Sequence, residues 1–145
     1  MKYPATELNS KELSILLDPI FTHAVTEIRD GGMEFNWDHF LPEWTKWTNL
    51  GFARTWVSGD AVAGALFTHD LFSGNPRALL MFWLSTPRAR SAGAPIKVLS
   101  AFENAAREFG AKPAAAWNAA VSPEKLLKVY RKLGYQMTEV IFTKV

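Results

Sequence analysis

The sequence predicts an α+β (α/β) domain whose central sheet is mixed but mostly antiparallel, with about six strands flanked by about four helices. Three observations predict this class. Apolar residues at helical spacing dominate the first fifty positions, strand-like runs separated by turn signals follow, and a buried strand then leads through a basic turn into a long helix. The length of 145 residues fits one domain, with an N-terminal helical part at 1–50 and a core at 51–145.

The first helix is predicted to follow a short strand or irregular lead-in at residues 1–9. Asn9 or Ser10 can cap it, because an Asn or Ser oxygen accepts hydrogen bonds from the first N–H groups of a helix. Apolar residues recur three and four positions apart to about Arg29. Pro19 is expected to kink this helix or to split it, because proline removes one backbone hydrogen bond.

The second helix is predicted to begin after Asn36 and to carry an aromatic stripe. Asn36 is the expected cap, and Pro42 stands early enough to be tolerated. The stripe is interpreted either as part of the core or as the wall of a substrate cleft. Its members are Trp37, Phe40, Leu41, Trp44 and Trp47.

The middle of the chain predicts three strands, at 52–57, 61–68 and 78–84. Ser58-Gly59-Asp60 is typical of a tight hairpin turn, and Ser73-Gly74-Asn75-Pro76 is a second turn signal. Because tight turns join antiparallel neighbours, the three strands are expected to form a meander.

Two helices are predicted in the last third. One runs from about 95 to 109, follows a turn at 85–94 and ends at Gly110. The other begins at Ser122-Pro123-Glu124, which combines a capping serine, a proline at the first helical position and an early acid, and ends at Gly134.

The two remaining strands are predicted on either side of the last helix. Residues 112–117 are assigned to a strand mainly from their position, because alanine is a poor strand former. Residues 135–145 are expected to form a final long strand, which brings the number of strands to about six.

The composition excludes several classes of protein. The chain has no cysteine, which rules out disulfides, thiolate metal sites and a cysteine nucleophile, and no metal site is expected. It shows no signal-peptide core and no apolar run of membrane-spanning length, so a cytoplasmic protein without a membrane partner is expected. A net charge of only +2 argues against nucleic-acid binding through Arg54, Arg77, Arg88 and Arg90.

The turn after strand 78–84 carries the pattern of an anion site. Small side chains there let a phosphate approach the backbone, and the N–H groups and dipole at a helix start favour negative charge. Arginine adds a fork-shaped cation that suits phosphate. The residues concerned are Arg88, Arg90, Ser91, Ala92, Gly93 and Ala94.

Two segments resemble motifs of the GNAT-type N-acetyltransferase superfamily. Its pyrophosphate motif, Arg/Gln-x-x-Gly-x-Gly/Ala, is similar to Arg90-Ser91-Ala92-Gly93-Ala94-Pro95 here. Its Leu-Tyr-x-x-x-Gly-Phe signature is similar to the segment from Val129 to Tyr135. The ending at 139–144 resembles the Glu-x-x-Tyr-x-Lys ending of many phage-encoded members. The resemblance covers roughly residues 50–145.

This resemblance implies a GNAT-like fold and transfer of an acetyl group from acetyl-CoA to a primary amine of a protein or small molecule. Backbone groups near Leu84 and Ser85 would pair with the pantetheine arm of acetyl-CoA, and the turn at 90–95, with Arg88, would hold the pyrophosphate. Tyr130 stands where many members place the general acid that protonates the leaving thiolate. An ordinary packed tyrosine is the alternative for this residue.

The match to the superfamily has two departures. Pro95 replaces a Gly or Ala and removes one N–H that could bind phosphate. Pro123 replaces a frequent Asn, for which Ser122 beside it is expected to substitute. The general base is left open among acids and histidines of the N-terminal helices and of one strand end: His23, Glu34, Asp38, His39, His69 and Asp70.

A second function therefore stays open. The alternative is a catalytically inactive GNAT-fold protein with a structural or interaction role, which would bind a protein partner or form a homodimer. The resemblance to phage-encoded members would place such a protein in the host cytoplasm or the virion. An enzyme predicts an opening between two parallel strands faced by Tyr130. A structural protein predicts that the opening is filled by an aromatic ring such as Trp83, Trp117 or Phe82.

Overall fold

The computed structural model describes residues 5–30, 35–116, 124–139, 142 and 144 of the chain. These residues form one five-stranded sheet and five helices. The strands are β1 (Thr6–Glu7), β2 (Ala53–Ser58), β3 (Ala61–His69), β4 (Pro76–Ser85) and β5 (Pro113–Ala115). The helices are α1 (Ser10–Asp30), α2 (Trp37–Asn49), α3 (Pro87–Ser91), α4 (Ala94–Glu108) and α5 (Glu124–Lys132). Among the described residues, no helix is long and apolar enough to cross a membrane.

The sheet follows chain order, β1-β2-β3-β4-β5. The first four strands pair antiparallel with their neighbours, which confirms the predicted meander. β5 pairs parallel with β4, with Ala78 opposite Pro113 and Leu80 opposite Ala115. The sheet is therefore mixed and mostly antiparallel, as the sequence predicts, and α4 forms the crossover that a parallel pair requires.

A β-bulge in β4 divides that strand into two halves. Gly64 of β3 lies opposite Phe82, whereas the next residue, Ala65, lies opposite Leu80, so Met81 is the extra residue. Because side chains alternate along a strand, one extra residue reverses the faces of everything that follows. Beyond the bulge, Phe82 packs with the cluster under α1 and α2, and Trp83 packs with the cluster under α4 and α5.

One face of the sheet is covered by α4. This helix buries one apolar side, with Phe102 and Val98 fully inaccessible to solvent. Opposite it, β3 presents the small side chains Ala61, Ala63 and Ala65, all fully buried. Small residues on the strand let the helix approach closely and pack its larger side chains at interior density.

The other face is covered by α1 and α2 and contains the predicted aromatic stripe. Trp44 is buried, and its indole Nε1 donates to Thr55 Oγ1 at 2.8 Å in the interior. Trp44 belongs to a linked cluster of six rings, whose contacting centroids are 5.0–6.4 Å apart: Phe21, Phe35, Trp37, Phe40, Trp44 and Phe82. These rings pack against one another and the sheet, which supports interpreting most of the stripe as core, whereas Trp47 is 39% exposed and lies outside the cluster.

Two predicted features of the helices differ from the structure. α1 continues through Pro19 as one helix, because buried side chains on both sides of it, such as Leu17 and Phe21, hold the helix on the sheet while Pro19 is exposed. The predicted turn at 85–94 contains the short helix α3. Thr86 caps α3, accepting from Ala89 N at 3.4 Å.

The predicted final strand is wrong for residues 135–139, which are not in a strand. A sixth strand needs a neighbour with matching hydrogen-bonding groups. β5 offers three residues, and the first, Pro113, has no N–H. The predicted end of the last helix is confirmed, because α5 ends at Lys132, shortly before Gly134, which has a φ of 91°. The start at Ser122 and Pro123 lies outside the described residues.

Gly64 is predicted to be required for the position of Phe82. A Cβ at Gly64 would lie 2.0 Å from Phe82 Cζ, so alanine must displace the ring from the aromatic cluster. Gly64→Ala should lower the free energy of unfolding by about 1–3 kcal/mol, measured by urea denaturation. The double variant Gly64→Ala/Phe82→Leu removes the colliding ring atoms and should recover part of the loss. Equal stability of Gly64→Ala and the wild type would contradict this packing.

Candidate functional site

The C-terminal end of β4 has an edge that β5 does not cover. The last hydrogen bond on that side runs from Ala116 N to Leu80 O, at 3.1 Å. β4 continues through Leu84 to Ser85, and within the described ranges no strand pairs with this part of its edge. An uncovered edge presents backbone N–H and C=O groups that an extended ligand can pair with. The opening expected at Leu84 and Ser85 belongs to this edge and stays a prediction.

The turn that follows β4 is tied to the β2–β3 turn and ends at an uncapped helix. Thr86 Oγ1 lies 3.2 Å from Asp60 Oδ2, and Thr86 N donates to Asp60 O at 3.3 Å. Gly93 precedes α4 with a φ of 74°, and a side chain there would meet no atom within 4 Å. Among the described residues, no side chain caps α4. The N–H groups of its first turn therefore have no side-chain partner in the described part of the chain and remain available to an anion.

The two arginines of the turn occupy different positions. Arg90 reaches back to the end of β4, where its Nε lies 3.2 Å from Ser85 Oγ and its Nη2 donates to Ser85 O at 3.1 Å. The side chain of Arg88 is 91% exposed, with its Nε 4.0 Å from Asp60 Oδ2. Arg90 therefore links the strand end to the loop before α4, whereas Arg88 lies on the outer side of the turn.

Trp83 connects three elements at this end of the sheet. Its indole Nε1 donates to Pro95 O, in the first turn of α4, at 2.9 Å. Its ring lies 5.9 Å from the ring of Tyr130 on α5. The sequence shows that Trp83 ends a buried strand, but it contains no signal for this hydrogen bond, which depends on the bulge at Met81.

Tyr130 is buried at the base of the site, with 7% of its surface exposed. Burial raises the pKa of Tyr130 to about 12, because the phenolate would lose hydration. Its ring contacts that of Tyr135 at 5.4 Å, and the Tyr135 hydroxyl donates to Glu103 Oε2 at 2.9 Å. Burial and the Glu103 carboxylate raise the pKa of Tyr135 as well. Tyr135 ends the segment that resembles the Leu-Tyr-x-x-x-Gly-Phe signature, but no motif in the sequence indicated Glu103 or its hydrogen bond with Tyr135.

The strand-end candidates for a general base lie far from this site. His69 pairs with Pro76, whereas Ser85 stands at the other end of the same ten-residue strand. At about 3.3 Å per residue, roughly 30 Å separates the two ends. The carboxylate of Asp70 instead accepts hydrogen bonds within its own loop. We therefore exclude His69 and Asp70 as partners of Tyr130.

Several other candidates stay predictions. Asp38 and His39 are exposed in the first turn of α2. Glu34, Ser122 and the side chains of His23 and Ser91 lie outside the described part of the structure. Among the residues it describes, no group of three or more histidine and acidic side chains could hold a metal ion.

Three of the four arginines considered for nucleic-acid binding lie beside acidic side chains. Arg54 donates to Glu7 Oε2 at 3.1 Å, and Arg77 pairs with Glu139 Oε1 at 2.9 Å. The Nε of Arg88 lies 4.0 Å from Asp60 Oδ2, so these three cations are partly neutralised by acids of other segments.

Comparison with solved structures supports the fold assignment. No protein-family model matches the chain, and no curated protein matches it. One similar structure is a predicted acetyltransferase from Clostridium acetobutylicum, crystallised with acetyl-CoA. Its TM-score is 0.72 at 17% sequence identity, and the match covers 99% of this chain and 96% of that protein. Another is an aminoglycoside acetyltransferase from an uncultured soil metagenomic sample, in complex with trehalose. Its TM-score is 0.71 at 16% sequence identity, and the match covers 99% of this chain and 95% of that protein.

A protein of different description shares the same architecture. A transcriptional regulator from Bacillus halodurans has a TM-score of 0.73 and 14% identity over 99% of both chains. At these identities the comparisons establish the fold, which is the predicted GNAT-like fold, and leave the activity to be argued from the site.

The raised pKa of Tyr130 predicts a loss of stability at alkaline pH. Because the folded-state pKa of about 12 lies above the ordinary value of 10, the stabilising contribution is present below pH 10 and is lost as the pH rises towards 12. Urea unfolding between pH 9 and about 11.5 should show a steeper decline for the wild type than for Tyr130→Phe. Identical slopes would show that Tyr130 is not buried as described.

Proposed function

We propose that the chain is an N-acetyltransferase that moves an acetyl group from acetyl-CoA to a primary amine of a protein or small molecule. One observation carries this proposal: the uncovered edge of β4, the uncapped start of α4 and the buried Tyr130 meet at the same end of the sheet. The GNAT-like fold and the acetyltransferases among its structural relatives support it.

The site residues fit acetyl-CoA by their chemistry. The backbone of Leu84 and Ser85, on the uncovered edge of β4, would hold the extended pantetheine arm. The loop of Ser91, Ala92, Gly93 and Ala94 leads into the helix N-terminus and would hold the pyrophosphate, with Arg88 and Arg90 adding positive charge. Ser122 is proposed to contact the same ligand from the start of α5. Acetyl-CoA supplies the activated acetyl group as a thioester.

Pro95 alters this phosphate site without removing it. Proline contributes no N–H, so the first turn of α4 offers Ala94 N and Ile96 N as donors. The Pro95 carbonyl accepts from Trp83, which fixes the start of the helix to β4. We infer that this bond keeps the remaining donors in position and compensates in part for the missing one.

Tyr130 is proposed to act as a proton or hydrogen-bond donor to the leaving sulfur. With a pKa of about 12 the phenol is fully protonated at neutral pH. An ordinary thiol has a pKa of roughly 8.5, so complete transfer of the phenolic proton to a thiolate is uphill. We therefore infer that Tyr130 stabilises developing negative charge mainly by donating a hydrogen bond.

The amine acceptor must lose a proton during its attack on the acetyl carbon. Asp38 and His39, exposed in the first turn of α2, remain candidate bases together with His23 and Glu34. The acceptor itself is proposed only by class. Sisomicin and trehalose occur in structures of the soil aminoglycoside acetyltransferase, and neither is carried over to this chain.

Two contacts favour a second candidate function, a GNAT-fold structural or interaction protein without catalysis. Trp83 spans from β4 to Pro95 and Tyr130, as expected if an aromatic ring fills the opening. Arg90 already donates a hydrogen bond to the backbone carbonyl of Ser85, the group with which a pantetheine arm would pair. A phage origin, with a location in the host cytoplasm or the virion, remains a prediction from the C-terminal motif.

Calorimetric titration with acetyl-CoA separates the two functions. The enzyme requires binding, expected in the micromolar range, with desulfo-CoA as a non-reactive control. Arg90→Ala should weaken binding roughly tenfold, because it removes a charged phosphate contact. Arg90→Lys should recover part of the affinity. Arg107→Ala, with the same charge change at the far end of α4, should leave affinity unchanged.

The outcomes of this titration are distinct. Equal affinity of Arg90→Ala and the wild type would remove the turn at 90–94 from the cofactor site. No binding by the wild type at millimolar acetyl-CoA would favour the non-catalytic protein.

Tyr130→Phe tests the proposed donor once an acceptor has been found by an amine screen. We expect kcat to fall roughly tenfold or more, whereas the Kd for acetyl-CoA should change little, because the lost hydrogen bond forms with charge that develops during the reaction. Tyr135→Phe is the matched control, since it removes a nearby hydroxyl that is bonded to Glu103. Unchanged kcat in Tyr130→Phe would leave this tyrosine a packing residue.

A further inference from the structure

The turn between β3 and β4 exposes two large apolar side chains. Leu71 is 89% exposed and Phe72 is 96% exposed. Isolated apolar residues are ordinary on protein surfaces, but two adjacent and almost fully exposed ones at a hairpin tip form a protruding apolar patch. Neither residue is near the proposed cofactor site, so the acetyl transfer reaction does not account for them.

The loop that carries this patch is held in one conformation. Asp70 Oδ1 accepts from Phe72 N at 3.0 Å and from Ser73 N at 2.8 Å, and Gly74 N donates to Asp70 O at 2.8 Å. The hydrogen bonds from Ser73 and Phe72 lower the pKa of Asp70, so its carboxylate stays charged and keeps these bonds at neutral pH. A loop that is already ordered loses little conformational entropy when it binds a partner.

A depression with complementary properties lies beside the same loop. It has a volume of about 370 Å³ and lies between the starts of β4 and β5 and the end of α4. Pro76, Ala78, Ala111 and Ala114 contribute apolar surface, and Arg77 and Lys112 stand among them. Arg77 is already paired with Glu139, so Lys112 is the cation that favours an aromatic ring in this recess, since the face of the ring carries partial negative charge.

We propose that Leu71 and Phe72 of one copy of this chain occupy the depression of a second copy, reciprocally about a twofold axis. The protruding residues directly precede residues 75–78, which line one side of the depression, and residues 110–112 and Ala114 line the other side. A patch that contains both complementary parts closes on itself when two copies meet, which gives a dimer rather than an open chain. The small contact area makes this a weak dimer, in the micromolar range.

Sedimentation velocity between about 1 and 100 µM tests the dimer. The wild type should shift from monomer to dimer within this range, and Phe72→Ser should raise the dimer Kd at least about tenfold. Ile15→Ser is the matched control, because Ile15 is 72% exposed but lies on α1. It should dimerise as the wild type does. A wild type that stays monomeric at 100 µM, or a Phe72→Ser variant that dimerises normally, overturns the proposal.

A second variant makes the test independent of folding defects. Ala114→Leu places a larger side chain in the depression and should also weaken the dimer. Mixing Phe72→Ser with Ala114→Leu leaves one intact contact, between Phe72 of one copy and the unaltered depression of the other. The mixture should therefore contain more dimer at about 100 µM than either variant alone. No recovery in the mixture overturns the reciprocal arrangement. Monomeric protein that instead binds anionic lipid vesicles through Phe72 overturns the assignment of a second copy.

Discussion

The structure depends on the reversal of side-chain alternation at Met81. If Met81 were paired in a regular strand without the bulge, Phe82 would point to the same side as Leu80, and Trp83 would join the aromatic cluster under α1 and α2. With the bulge, Phe82 lies over Gly64, where no side chain competes for the space. The bulge therefore completes two different cores, and it places an indole N–H within reach of α4.

The proposed site follows from this arrangement. Trp83 fixes the start of α4 to the strand, Arg90 fixes the intervening loop to Ser85, and Thr86 fixes the same loop to Asp60. These contacts converge on a helix start that no side chain caps. The electrostatic potential of a helix N-terminus is useful for binding only when its position is defined, and here three separate hydrogen bonds define it.

Local signals in the sequence were enough to predict most of the fold. The cap at Asn36, the hairpin at Gly59 and the stop at Gly110 act within a few residues, so their patterns identified α2, the β2–β3 turn and the end of α4. The bulge could not be predicted from local signals, and the opening at Leu84 and Ser85 was expected only from the resemblance, because both depend on pairing between distant segments. For the site, the motif at 90–94 located the helix start, but the contacts of Trp83 and Tyr135 require the folded chain.

The parallel pairing of β4 with β5 has a consequence for how the chain folds. The β2–β3 and β3–β4 hairpins join residues close in sequence, whereas Ala78 must meet Pro113 after the whole of α4 has been placed. Contacts between distant residues carry a larger loop-closure entropy and form later. β5 is also short, with three residues. We therefore expect the meander to form first and β5 to be the last strand to join and the first to detach.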